Sequence, residues 1–314
     1  MKRLIFLLVL LVLINIPLAS AYAAAPTTEV SYDFNSLTGS DTPPFTNLDG
    51  QDNWTSNGFI FDVPIPEWYV GVTETLGFDG TPALRFQRVG PGYGADASRL
   101  NDSSFSIPDY GVVGGGFFQA DFCIGYWGNF FAMAYDGNTD GKIRKTSPDE
   151  IGPQLVVGSH ANVQIRVISA DGVTTTTSLA DANGATGGDW IRLRLVMDFT
   201  ANGGHGLGSV YYQNLSAGDT MLQPLAGLQD INLGLDLNAT DGSNPALWNA
   251  MWLHMEGATN QLDNIVLARN TPPPGWDKGE KSGWDGAYPP GLDNNNMNPP
   301  GFNEGNKGGW SVEQ

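Results

Sequence analysis

The chain has 314 residues and is strongly acidic, with 33 Asp and Glu against 15 Lys and Arg and a formal net charge of −18. That balance argues against nucleic acid or an anionic membrane surface as a partner. A single cysteine, Cys123, rules out an internal disulfide and leaves stability to the core or to a bound metal.

The chain opens Met1-Lys2-Arg3, continues through an apolar run from Leu4 to Leu18 and reaches Ala19-Ser20-Ala21-Tyr22-Ala23. The run is shorter than the roughly 20 residues needed to span a bilayer. A charged start and an A-x-A site therefore predict a secretory leader, residues 1–23, cut after Ala23. Losing Lys2 and Arg3 takes the net charge from −18 to −20. The mature protein is expected outside the cytoplasm (extracellular, at the cell surface or periplasmic), without membrane insertion.

Residues 24–270 read as one large all-β domain. Its first strand is predicted at Glu29 to Asn35, followed by short strands at Gly58 to Asp62, Trp68 to Thr73 and Ala83 to Arg88 between Gly, Pro and Asp turns. In Gly116 to Ile124, Phe118, Ala120, Phe122 and Ile124 share one face, and Phe117, Gln119, Asp121 and Cys123 share the other. Asn129 to Tyr135, a turn at Asp136 to Gly141, and Lys142 to Thr146 read as a hairpin. Leu155 to Val157, Asn162 to Ser169 and Val173 to Ser178 continue the pattern, with Asp171-Gly172 as a turn signal.

Trp190 to Phe199 carries the strongest signal. Ile191, Leu193, Leu195, Met197 and Phe199 alternate with Arg192, Arg194, Val196 and Asp198. That is a strand with one core face and one polar face. The glycine-rich turn Ala201 to Gly206 and the extended stretch Leu207 to Gln213 complete a hairpin. Ile231 to Leu237, Trp248 to Glu256 and Gln261 to Ala268 close the domain. Many short strands without helical periodicity imply a β-sandwich or barrel. Residues 271–314 hold repeated Pro-Pro-Gly-aromatic runs (Pro273–Trp276, Pro289–Leu292 with Leu in place of the aromatic, Pro299–Phe302) and almost no aliphatics. Such composition builds no core and reads as a disordered low-complexity tail, either a linker or an adhesive segment.

Tyr32-Asp33-Phe34-Asn35, Leu48-Asp49-Gly50-Gln51-Asp52-Asn53-Trp54, Trp190 to Leu195, Val210 to Leu215 and Gln261 to Leu267 together resemble secreted bacterial domains of the concanavalin A-like (laminin-G-like) superfamily. The resemblance implies a two-sheet antiparallel jelly-roll β-sandwich. It also implies one of several functions: lectin or carbohydrate-binding module, polysaccharide-cleaving hydrolase or lyase, or a matrix or adhesion domain. Non-catalytic binding of a polysaccharide or cell-surface glycan is the leading expectation, with oligomeric state open.

No enzyme motif survives inspection. Retaining glucanases of this superfamily carry Glu-x-Asp-x-x-Glu, which holds two carboxyls about 5.5 Å apart. None of the eight glutamates has that spacing. The Gln-Ile-His strand of alginate-lyase-like jelly rolls becomes Gln164-Ile165-Arg166, without the histidine. If an enzyme is present, Glu256, His254 and Asp121 are its first candidates.

For glycan binding, Trp252, His254 and Glu256 are expected on the face opposite Met251, Leu253 and Met255. An aromatic ring with two polar groups can stack on a sugar and bond its hydroxyls. Arg192, Arg194, Gln119 and Asp121 occupy the polar faces of their own strands. They would join the same surface if these strands share a sheet; otherwise they form a layer of paired charges. Trp68-Tyr69, Tyr93 and Tyr126-Trp127 are secondary platform candidates, set against the usual core role of such residues.

A structural Ca²⁺ has two candidate homes. Asp136, Asn138 and Asp140, with Gly141, match the first half of an oxygen-rich calcium loop, but Ser147 stands where the bidentate Glu belongs. An ordinary hairpin turn is the competing reading. The second home is implied by the resemblance: carbohydrate-binding modules of this type hold calcium between first and last strands, and the matching positions are Asp33 and Asp263.

Overall fold

The computed structural model of the chain describes residues 27–60, 63–64, 68–87, 94–110, 114–125, 128–143, 150–159, 162–179, 185–257 and 259–270. The expected leader, the expected tail, Tyr93, Tyr126-Trp127 and Ser147 lie outside them. Eighteen strands, numbered in chain order, run through the described residues.

The first sheet is ordered β15 (Gln223–Pro224), β14 (Leu207–Asn214), β13 (Trp190–Asp198), β8 (Gly115–Cys123), β18 (Gln261–Asn270), β6 (Leu84–Gln87), β5 (Tyr69–Val72) and β2 (Thr46–Asn47). β1 (Thr27–Tyr32) pairs with β18, and β16 (Ile231–Asn232) pairs with β14. The second sheet is ordered β12 (Thr174–Ser178), β11 (Val163–Ile168), β10 (Ile151–Ser159), β9 (Gly128–Ala134), β17 (Ala250–Met255), β7 (Gly94–Leu100), β3 (Trp54–Ile60) and β4 (Val63–Pro64). All of these pairings are antiparallel. The fold is a two-sheet jelly-roll β-sandwich.

The period-two pattern decides what lies between the sheets. From the first sheet, Ile191, Leu193, Leu195 and Met197 of β13 and Phe118, Ala120 and Phe122 of β8 enter the core. They meet Met251, Leu253 and Met255 of β17, Phe131 and Met133 of β9, and Val163, Ile165 and Val167 of β11. Each large apolar side chain buried this way contributes roughly 1.5–3 kcal/mol. The predicted hairpin Trp190 to Gln213 forms, with Arg194 opposite Tyr211.

Two expectations change. β9 does not turn back at Lys142; its neighbours are β10 and β17. Residues 136–143 instead leave the sheet and fold over its outer face, where Ile143 joins Phe130, Ala132, Val156 and Trp252 in a second apolar cluster. The strand β7, with the sequence Gly-Ala-Asp-Ala-Ser-Arg-Leu, was not expected at all. Its small side chains have low strand propensity, yet Ala95 and Ala97 fit the core between β3 and β17.

Candidate functional site

The seven predicted glycan-contacting residues do not form one surface. Trp252 and His254, with Glu256 just beyond, belong to the second sheet; Arg192, Arg194, Gln119 and Asp121 belong to the first. Alternation tells each strand its faces but not its neighbours, and β17 lies between β7 and β9 rather than beside β13 or β8. The outward faces of the two sheets point away from each other. Asp121 therefore cannot act together with His254 and Glu256.

On the first sheet the four polar residues satisfy one another. Arg192 stands directly across from Asp121, and its Nε and Nη2 donate to Oδ1 and Oδ2 at 2.7 and 2.8 Å. Asn264 Nδ2 donates to the same carboxylate at 3.0 Å. Arg194, across from Gln119, donates to its Oε1 from Nε and Nη2 at 3.0 and 2.7 Å, and its guanidinium lies 4.0 Å from the Phe117 ring centroid. This is the layer of paired groups rather than a ligand surface.

On the second sheet, Trp252 is wholly buried, and its indole N–H donates to the Ile143 carbonyl at 3.1 Å. It is a core ring under the 136–143 segment, not an exposed stacking platform. Trp68 is likewise buried in the main core, and Tyr69 donates its hydroxyl to the Phe45 carbonyl at 2.9 Å. His254 sits between two carboxylates, with Nδ1 2.6 Å from Asp96 Oδ1 and Nε2 3.1 Å from Glu256 Oε1. Only the imidazolium donates at both nitrogens. The ring fits because Gly94 has no side chain; a Cβ there would lie 2.6 Å from His254 Nε2.

The register lines up the outer face from here. Asp96, His254, Phe130, Val156, Arg166 and Thr176 form one row across β7, β17, β9, β10, β11 and β12. Arg166 reaches back along it, its guanidinium 6.0 Å from the Phe130 centroid, while Phe130 meets His254 edge-on at 5.3 Å. In the adjacent row Gln154 is 9% exposed. Among the described residues its Oε1 has no hydrogen-bond partner, and neither has Arg166 Nε. In the row on the other side, Glu256 is followed by Gly128, Gly158 and the exposed Gln164. Three strand spacings, about 14 Å, separate Glu256 from Gln164.

The strip from Glu256 to Arg166, Gln154 and Gln164 was missed as a site. Its signal was present: Val163, Ile165 and Val167 turn inward, so Gln164 and Arg166 must turn outward. A groove of about 630 Å³ lies elsewhere, at the β14–β15 edge. Its Tyr212 belongs to the core, and its Asp219 carboxylate already accepts from the Asn214 N–H at 3.0 Å.

Both calcium candidates can be placed. In the 136–143 segment, Asp136 accepts from the N–H groups of Thr139 and Gly141 at 2.9 and 2.8 Å, Asn138 from Asp140 at 3.1 Å, and Asp140 from Lys142 at 2.8 Å. The turn closes on its own backbone. The terminal strands do pair, with Tyr32 opposite Ile265, which brings Asp33 into the neighbourhood of Asp263. Asp263 is wholly buried, directly across from Asp121. Burial first, then the charges of Asp121 and Asp33, push its carboxyl up to about 7. A cation would relieve that charge. No group of three or more His, Cys, Asp or Glu side chains gathers at metal-binding spacing among the described residues, so amide and main-chain oxygens would have to complete the shell.

No helix among the described residues is long and apolar enough to cross a membrane. No protein-family model matches the chain, and no curated protein matches it. Among solved structures it is similar to the legume lectin-like domain from Entamoeba histolytica (8% identity, TM-score 0.32, covering 70% of this chain and 90% of that one). It is also similar to the T. cruzi calreticulin globular domain (10%, 0.40, 72% and 87%) and to the marine PL-14 alginate lyase from Aplysia kurodai (13%, 0.33, 62% and 86%).

Proposed function

We propose that this is an exported, non-catalytic glycan-binding protein that holds an oligosaccharide along the outer face of the second sheet. The observation that carries the reading is the pairing of an unsatisfied donor, Arg166 Nε, with an unsatisfied acceptor, Gln154 Oε1, on neighbouring strands of one face. Buried polar groups are ordinarily bonded, and a hydroxyl-rich ligand offers both partners. Glu256 and Gln164 extend the same strip, long enough for several sugar units rather than one.

The carboxylates on this face favour binding over cleavage. Glycoside hydrolysis needs two carboxyls flanking the scissile bond. Here Asp96 and Glu256 flank the imidazole of His254 instead. Export rests on the leader in residues 1–23. A structural calcium at Asp33 and Asp263 is part of the same proposal, supported by the buried charge of Asp263.

The test is a pull-down against a panel of neutral and acidic polysaccharides, with calcium and with chelator, while new reducing ends and unsaturated ends are measured in the same wells. Retention without product, lost in Glu256→Ala and Arg166→Ala at unchanged melting temperature, is expected. Product release would make the protein an enzyme. Silence against the whole panel would leave a structural matrix or adhesion role as the better account.

A further inference from the structure

The strip is more selective than a surface for neutral sugars, because of how its arginine is held. Arg192 shows what an arginine of this fold does with a carboxylate: Nε and Nη2 form a planar fork on Asp121. Arg99 is likewise anchored, by Asp52 at 3.1 Å and Asp102 at 2.8 Å. Arg166 differs. Its guanidinium lies against Phe130, and its Nε, the inner tooth of that same fork, is buried without a hydrogen-bond acceptor among the described residues. In a chain with 33 acidic residues, carboxylates to pair with an arginine are plentiful. Among the described residues none occupies this one's Nε.

Resting on the glycan-binding reading above, we infer that the ligand is a uronate-containing polysaccharide, one of whose carboxylates docks on the Nε edge of Arg166 while a ring hydroxyl of the same unit donates to Gln154 Oε1. A uronate carries both groups on one ring, and the two protein atoms lie on adjacent strands of one face. Gln154, only 9% exposed and with its acceptor unbonded, is the second observation that points to a ligand. A planar carboxylate matches the guanidinium fork better than a lone hydroxyl does. Glu256 lies in the neighbouring row of the same face, with its Oε1 3.1 Å from His254 Nε2.

A charge-assisted hydrogen bond exceeds a neutral one enough to favour the acidic sugar by about tenfold. The test uses the full-length secreted protein. Its affinity is measured for several polyuronates (alginate, polygalacturonate, glucuronan), for the carboxyl-reduced form of each, and for a sulfated neutral glucan. Arg166→Gln and Arg166→Lys are run beside the parent, with melting temperature as the folding control. The expected result is a roughly tenfold preference for at least one polyuronate over its reduced form. Arg166→Gln should weaken binding of the polyuronate about tenfold more than binding of its reduced form, so that the preference disappears, and Arg166→Lys should keep part of it. Equal binding of the acidic and reduced forms overturns the inference and leaves the glycan-binding reading standing. So does a preference that survives Arg166→Gln. Arg166-dependent binding of the sulfated glucan alone reassigns the anion to sulfate and also overturns it. If no glycan of any kind is bound, both readings fall.

Discussion

Replacing Arg192 with alanine separates a structural pair from a ligand-binding one. In the native protein the guanidinium clamps Asp121, which is wholly buried and receives a further bond from Asn264. The substitution leaves that carboxylate without its cation, directly across the sheet from the equally buried Asp263. Removing one partner of a buried pair costs about 3–5 kcal/mol. Arg192 itself is 31% exposed, so water can partly replace it and the lower end, about 3 kcal/mol, is expected. For a domain of this size that is roughly 6–12 °C in melting temperature. The loss must depend on pH. Asp263, whose carboxyl is already pushed up to about 7, loses the nearby guanidinium charge as well, which favours its protonated form in the folded state, so the variant is least impaired near pH 5 and most impaired near pH 8. Urea unfolding of Arg192→Ala at both pH values measures this, and adding Asp121→Asn should recover part of the loss. A loss below 1 kcal/mol, or one equal at both pH values, would refute the reasoning; so would a loss of glycan retention at unchanged stability.

Asp263 supplies a second expectation. Its carboxyl, at about 7 when folded, lies above its ordinary value of 3.8. The folded state therefore keeps a proton that the unfolded chain releases, and its stabilising contribution is complete below about pH 4 and lost as pH rises through 7. In chelator, thermal scans should show stability falling across this range, with Asp263→Asn flattening the fall; parallel curves for parent and variant would contradict it. Calcium should raise the melting temperature of the parent near pH 7.5 and not that of Asp263→Asn, and no calcium response in either would remove the metal from this position. Trp252→Ala should cost about 3–5 kcal/mol by opening a cavity under Ile143, with Trp252→Phe costing less; a mild loss in urea unfolding would mean the ring is not packed as described. Gly94→Ala would place a Cβ 2.7 Å from the Met255 carbonyl and 2.6 Å from His254 Nε2. It should destabilise the protein and disturb the His254 imidazole resonances; an unchanged imidazole spectrum would argue that the ring does not fill that space.

Alternation was the most legible feature of the sequence. It assigned inward and outward residues correctly on β8, β13 and β17, because a strand's period is local. Sheet membership was not legible. Whether β17 borders β13 or β9 depends on pairing between segments far apart in the chain, and Trp252 reads the same either way. Alternation also marks a face as outward without saying whether something covers it. Trp252 looked like a platform and is roofed by Ile143, while the Arg192–Asp121 and Arg194–Gln119 pairs needed the cross-strand register to be seen. Arg166 was overlooked for the opposite reason. A lone arginine in Val-Gln-Ile-Arg-Val-Ile is unremarkable until its neighbours, and the absence of an acceptor for its Nε among the described residues, are known.

The most direct test of the central claim is hydrogen–deuterium exchange of the full-length protein with and without the polysaccharide it retains best. The account predicts slowed exchange in residues 154–158, 163–168 and 250–256, on the outer face of the second sheet, with residues 190–198 unchanged. Protection centred on residues 190–198 and 115–123, with the second sheet unaffected, would place the ligand on the opposite face and contradict it.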